Sequence, residues 1–231
     1  MEHERPPVVR HHRFFFALFS LFRISISLGL VERPLVVGLL WGLCGGDLQT
    51  SLYCAIFYEL LWLDFIPVGT FIPPHMTAAA FSGLAISTYF GLDSPPFVFL
   101  ALIAGLPMAW LGAKLDRTLR DRLNRSYGLV LQWLRRPHDA DMPTRMLAGV
   151  LVSKLFVSWA FFLAGTGGLA LAVRFILDHY AGSLAGLQLT WSHFLIAASL
   201  GGLLALRLRS LYVSVAVGAL VLGIFRAFGI F

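Results

Sequence analysis

Four side chains suited to binding a hydrogen-bonding solute, those of Asp47, Gln49, Thr50 and Glu59, sit inside a strongly apolar stretch. From Glu32 to His75 the chain reads ERPLVVGLLWGLCGGDLQTSLYCAIFYELLWLDFIPVGTFIPPH, with Asp64 as a third carboxylate and Gly-Gly-Asp and Pro-Pro as interruptions. Carboxylates in a segment of spanning length cost several kcal/mol unless they face protein or water, so each is a functional candidate. Broken backbone at membrane depth survives only where it is buried or lines a cavity. The pattern is that of a solute site inside a membrane protein.

Each candidate has competing roles. Asp47 follows Gly45 and Gly46, where one helix ends and another begins; it is either an N-cap accepting backbone N–H groups or a ligand. Capping would itself serve a site by fixing the break that opens it. Glu59 is either a ligand or gating acid, or the partner of a base on another helix, with Arg23 and Lys154 as candidates. Asp64, near the end of its helix, reads as a solvated carboxylate. Pro67, Pro73 and Pro74 deprive the chain of donors and, with Gly69, bend it, giving either a re-entrant tip that meets the solute or an ordinary turn. His75 is either structural or a bonding partner for a hydroxyl. The six tryptophans are expected to anchor at the membrane interface, with Trp62 singled out as a stacking candidate because it adjoins Glu59.

The elements that must position these residues are helices. The chain has 231 residues, of which 58% are hydrophobic and only 13% charged, against about 25% charged in soluble domains, and its mean hydropathy is +0.79. A soluble protein is excluded on these grounds. The net charge of +6 sits in short polar segments between apolar ones and reads as topology signals rather than a nucleic-acid surface. Cys44 and Cys54 lie in apolar sequence without C-x-x-C spacing, so neither a disulfide framework nor a metal site is indicated. No cofactor is expected.

At about 20 apolar residues per crossing, helices are expected over 14–31, 35–43, 48–65, 77–90, 97–113, 146–164, 169–176, 194–206 and 211–231. The fold class is thus an all-α polytopic membrane protein of about seven to nine helical segments. Residues 35–43 and 169–176 are too short to cross and read as halves of discontinuous helices or re-entrant arms, which suggests an inverted repeat. The first apolar run is read as a retained helix, because Arg23 interrupts it and no small-residue cleavage motif follows. The chain is expected to form one integral membrane unit over 1–231: a first half at 14–113, a basic connector at 114–145 and a second half at 146–231. The connector carries eight Lys and Arg against four Asp, which places it in the cytoplasm. Its first part, KLDRTLRDRLNRSYGLVLQWL, spaces leucines helically among charges, as an interfacial or cytoplasmic helix does.

An ordered series of motifs adds to this reading. Arg33-Pro34-Leu35-Val36, Gly46-Asp47-Leu48-Gln49-Thr50, Glu59-Leu60-Leu61-Trp62-Leu63, Pro67-Val68-Gly69 and Ile72-Pro73-Pro74 resemble, in order and nearly in spacing, the IIC membrane subunit of the mannose/fructose/sorbose family of the bacterial sugar phosphotransferase system. The resemblance runs from about Arg23 to Trp133. It implies a permease subunit of the bacterial inner membrane that binds a hexose and presents it for phosphorylation by a soluble IIB subunit. The implied partners are a IID membrane subunit of homologous fold, cytoplasmic IIA and IIB, and membrane lipid, with no nucleic acid. Phosphohistidines belong to the soluble subunits, so no phosphoryl-transfer residue is expected here. The implied substrate-binding residues are Asp47, Gln49, Thr50, Glu59, Pro67, Gly69, Pro74 and His75, whose carboxylates, amide and hydroxyl suit sugar hydroxyls. Two positions depart from the pattern: His75 stands where the family usually has Asp, and Asp64 where it usually has Gly. The alternatives these raise are a IIC-like anchor or sensor of a regulatory phosphorelay, and a secondary carrier using Asp47 or Glu59 as a proton site.

Overall fold

The computed structural model describes residues 33–63, 73–135, 142–206 and 208–227. Among these it forms seven helices and no strand: α1 Pro34–Gly45, α2 Leu48–Leu61, α3 Met76–Phe90, α4 Pro95–Arg135, α5 Met142–Ala185, α6 Trp191–Ala205 and α7 Arg209–Ala227. The all-helical class expected from composition holds. The helix expected over 14–31 and the bend around Pro67 and Gly69, with Asp64, lie outside the described residues.

The chain breaks where glycine and aspartate are adjacent. Pro34 opens α1 at a position where a missing N–H costs nothing. Gly46 closes it in the left-handed conformation, φ 81°, with its N–H on the Gly42 carbonyl, a geometry that favours glycine. Asp47 then caps α2. At 12 residues, α1 is about 18 Å long, well short of a hydrocarbon core of about 30 Å. α1 and α2 therefore form a tight hairpin of short helices, as the broken-helix reading requires.

α1, α2, α3 and α4 pack side by side, α6 covers the outer side of α2, and α5 lies along α4 and α3. Tyr58 locks the first group. Its side chain is fully buried and its hydroxyl donates to the Leu102 carbonyl at 2.7 Å. The phenol passes between Gly83 of α3 and Gly105 of α4, where any added methyl group would collide with the Tyr58 oxygen. Aromatic contacts extend the core: Phe57 meets Phe99 edge to face, Phe99 stacks on Phe194, and Tyr53 stacks on Trp191 of α6.

Two boundaries differ from expectation. The apolar run at 97–113 and the amphipathic connector are one helix, α4, of 41 residues. Pro107 lies inside it; the helix continues beyond, supported by burial of Met108 and Ala109. Likewise 146–164 and 169–176 belong to a single 44-residue helix, α5. Residues 169–176 are therefore neither half a broken helix nor a re-entrant arm, which removes one of the two interruptions behind the expected repeat. Packing overrides the Thr166-Gly167-Gly168 sequence: Thr166 bonds the Ser82 hydroxyl of α3 at 3.0 Å, and Gly165 admits the Met108 thioether. Pro95–Asn124 and Thr144–Ala185 are long and apolar enough to cross a membrane, while 34–45, 76–90, 191–205 and 209–221 are apolar but shorter.

Candidate functional site

The break between α1 and α2 faces the far end of α3. Asp47 Oδ1 accepts from the Thr50 backbone N–H at 3.1 Å, which realises the capping role and leaves its second carboxylate oxygen for other partners. A turn of helix further on, Ser51 is buried and Thr50 is half-buried. Opposite them α3 ends at Gly91, again left-handed with φ 61°, and the chain turns through Asp93 into α4. Ser87 donates to the Leu92 carbonyl at 3.3 Å and so holds this turn.

Between the two breaks lies a cleft of about 140 Å³, lined by Asp47, Thr50, Ser51, Ser87, Thr88 and Asp93, with Trp41, Leu84 and Leu92 among its apolar walls. Two carboxylates and four hydroxyls in one cleft form a set of directional acceptors and donors suited to a polyhydroxylated ligand, since each carboxylate accepts several bonds and each hydroxyl both donates and accepts. Trp41 is 5% exposed and its indole Nε1 donates to Thr88 Oγ1 at 3.0 Å, while its ring meets Phe81 edge to face. Its expected place as an interfacial anchor is corrected: it is a wall of the cleft, held by a polar bond and core packing. The other side of Trp41 and Thr88 borders a larger cavity of about 250 Å³, mostly apolar, with Phe162, Leu171, Thr166 and Arg174 in its lining.

The sequence candidates divide between two ends of α2. Asp47 and Thr50 line the cleft; Gln49 is exposed beside them but does not line it. Glu59 is 12 residues on from Asp47, hence about 18 Å away along the axis. There its Oε1 accepts from Arg33 Nη1 at 3.0 Å, so a basic partner comes from the residue that precedes α1; Arg23, the other candidate beside Lys154, lies outside the described residues. The Glu59 Oε2 is buried and finds no hydrogen-bond partner among the described residues, where an unsatisfied acceptor costs about 1–3 kcal/mol.

Pro74 and His75 are buried. His75 Nδ1 accepts from the Ala78 N–H at 3.2 Å, making it the N-cap of α3, and its backbone N–H donates to the Ala109 carbonyl at 2.8 Å. A histidine thus does what an aspartate does at an N-cap. Trp62 is 4% exposed and stacks on Tyr58, so its expected stacking on a ligand gives way to a core role. Pro67 and Gly69 lie outside the described residues. Among the described residues no group of His, Cys, Asp and Glu has a metal-binding arrangement.

Ser87, Thr88 and Asp93 escaped the sequence reading. The signal was present in Ser-Thr-Tyr-Phe-Gly-Leu-Asp-Ser-Pro-Pro, a polar cluster with a glycine stop before two prolines. What was missing was its meeting with Asp47, 40 or more residues away.

A family model described as the PTS system sorbose-specific IIC component matches residues 13–136. No curated protein and no solved structure matches the chain.

Proposed function

Because the chain belongs to the family of PTS sorbose-specific IIC components, matched over residues 13–136, it is a membrane protein and a sugar-specific permease subunit of a phosphotransferase complex, and we propose that it takes up a hexose through the cleft between Asp47 and Asp93. The observation that carries this reading is the convergence of two carboxylates and four hydroxyls at the facing breaks of α1–α2 and α3–α4. Charge-assisted bonds to sugar hydroxyls are about twice as strong as neutral ones. A site built on them disfavours solutes without those hydroxyls, whose binding would leave its polar groups unpaired.

Orientation follows from charge. Two residues after Asp93, α4 opens with 19 apolar residues, 95–113, before Lys114, about 28 Å of rise, and then enters the basic connector. The positive-inside rule places that connector in the cytoplasm, so the cleft opens on the opposite side of a bacterial inner membrane crossed several times. Glu59, Arg33 and His75 then lie toward the cytoplasm. Sugar would bind first beside Asp47, Thr50, Thr88 and Asp93, and pass along α2 toward Glu59, whose unsatisfied Oε2 offers the next acceptor. Gln49, Pro67, Gly69 and Pro74 complete the path in this proposal. A IID subunit of homologous fold would supply the other wall, and IIB, charged by IIA, would phosphorylate the sugar at the inner face.

Two substitutions test the site. Asp47→Ser keeps an N-cap while removing the carboxylate, and Asp93→Asn removes the other carboxylate of the cleft while keeping its shape. Phosphoenolpyruvate-dependent formation of sugar phosphate in vesicles carrying the subunit with its partners should fall in both. Unchanged uptake in both, with normal protein levels, would move the site elsewhere.

A further inference from the structure

The larger cavity beyond the Trp41–Thr88 bond has no part in the sugar path proposed above. It measures about 250 Å³ between α3 and α5, and its walls are mostly aromatic and aliphatic, with Trp41 of α1, Ile86 and Phe90 of α3, and Phe162 and Leu163 of α5. No carboxylate lines it among the described residues. Three of its polar side chains are already engaged: Thr88 accepts from the Trp41 indole at 3.0 Å, Thr166 bonds the Ser82 hydroxyl at 3.0 Å, and Arg174 lies 3.8 Å from Asp178. Such a space suits an apolar ring. An apolar cavity of about 150 Å³ holds a benzene molecule, and aromatic walls favour edge-to-face and offset contacts with a further ring.

We propose, resting on the sugar reading of the polar cleft, that the chain accepts hexosides carrying an aromatic aglycone, with the sugar ring in the cleft and the aglycone in this cavity. The two spaces share Trp41 and Thr88 as lining residues. Carboxylates and hydroxyls lie on one side of that wall and aromatic side chains on the other, which matches a molecule polar at one end and apolar at the other. Thr88 stands at the junction. Its oxygen accepts from Trp41, and a hydroxyl that accepts one bond still has its proton to donate, here to the glycosidic oxygen that joins the two parts of the ligand. A substituent directed past Thr88 then enters the cavity. The adjoining cleft favours this occupant over a lipid acyl chain, which would use the apolar walls and none of the polar groups one side chain away.

Competition against hexose uptake tests this in vesicles carrying the assembled complex, with the phenyl and methyl glycosides of the hexose it takes up as probes. The phenyl glycoside should inhibit at about tenfold lower concentration than the methyl one, the gain expected from burying a ring against apolar walls. Gly167→Leu and Ala85→Val narrow the cavity from α5 and from α3, and neither residue lines the polar cleft. A side chain at Gly167 would meet nothing within 4 Å, which keeps the test decisive if Ala85→Val does not fold. Both variants should keep the KM for hexose and the inhibition by methyl glycoside, and Gly167→Leu should erase most of the phenyl advantage. Equal inhibition by the two glycosides, or a phenyl advantage undiminished in both variants, would overturn the proposal while leaving the sugar cleft intact. Equal inhibition together with a lipid retained by the native chain and lost from Gly167→Leu would give the cavity to an acyl chain instead. Absence of hexose uptake itself would remove the reading of the cleft, and this inference with it.

Discussion

The indole Nε1 of Trp41 and the hydroxyl of Thr88 are 3.0 Å apart, and that bond ties the end of α1 to the end of α3 at the wall shared by the polar cleft and the larger apolar cavity. The same two helices also meet where the Trp41 ring packs edge to face on Phe81. The bond to Thr88 also sets the position of a hydroxyl the ligand would use.

Trp41→Phe should therefore do two things. Stability should drop by about 0.5–1.5 kcal/mol from the lost hydrogen bond, with a further loss from imperfect filling of the space. The Thr88 hydroxyl, no longer held, should raise the KM for sugar uptake while kcat changes less. Thermal unfolding in detergent and concentration-dependent uptake in vesicles check the two effects separately.

Tyr58 and its glycine slot predict a coupling. Gly83→Ala forces a methyl group onto the phenol oxygen and should cost about 1–3 kcal/mol. Tyr58→Phe loses the bond to Leu102 and should cost about 1 kcal/mol. The double variant should be more stable than the sum of the two changes, because the oxygen that collides is gone. Denaturation of the four proteins measures this, and strict additivity would refute the slot.

At His75 the capping geometry makes the residue type less important than its acceptor atom. His75→Asp should retain both stability and transport, whereas His75→Ala should lose about 1 kcal/mol. If His75→Asp unfolds the protein while His75→Ala is neutral, the cap is not the reason a histidine works there.

Arg33 and Glu59 form a half-buried pair. Arg33→Gln removes the cation from a carboxylate whose other oxygen is buried without a partner among the described residues, and should cost between the ~1 kcal/mol of an exposed pair and the ~3 kcal/mol of a buried one. Adding Glu59→Gln should restore part of that stability. Transport should nevertheless stay low in the double variant, since the acceptor proposed for the sugar is altered; recovery of stability together with full transport would assign Glu59 a structural role alone.

The break at Gly46 and Asp47 was legible because a left-handed glycine and a capping carboxylate act locally, each fixing its own turn. The continuity of α4 and α5 was not. Lys114 and the charges after it mark where the environment changes, not where the helix stops, and the glycines at 167 and 168 each cost only about 1 kcal/mol in a helix, less than packing against α3 and α4 returns. The candidate site was half legible for the same reason. Asp47 and Thr50 declare themselves as polar residues at a helix break. Ser87, Thr88 and Asp93 acquire meaning only when α3 packs beside the α1–α2 hairpin, and Trp41 becomes a cleft wall only through its bond to Thr88. Glu59 was legible as a buried acid; its partner was not, because Arg33 reaches it by the antiparallel return of α2 along α1.

The most direct test of the central claim is the rate at which vesicles containing the assembled complex convert external hexose to sugar phosphate when supplied with phosphoenolpyruvate, measured for the native chain and for Asp93→Asn. Loss of one charge-assisted bond should lower kcat/KM by about tenfold to a hundredfold, with the complex still assembled and stable. A native rate in Asp93→Asn would contradict the account and remove the cleft from the sugar's path.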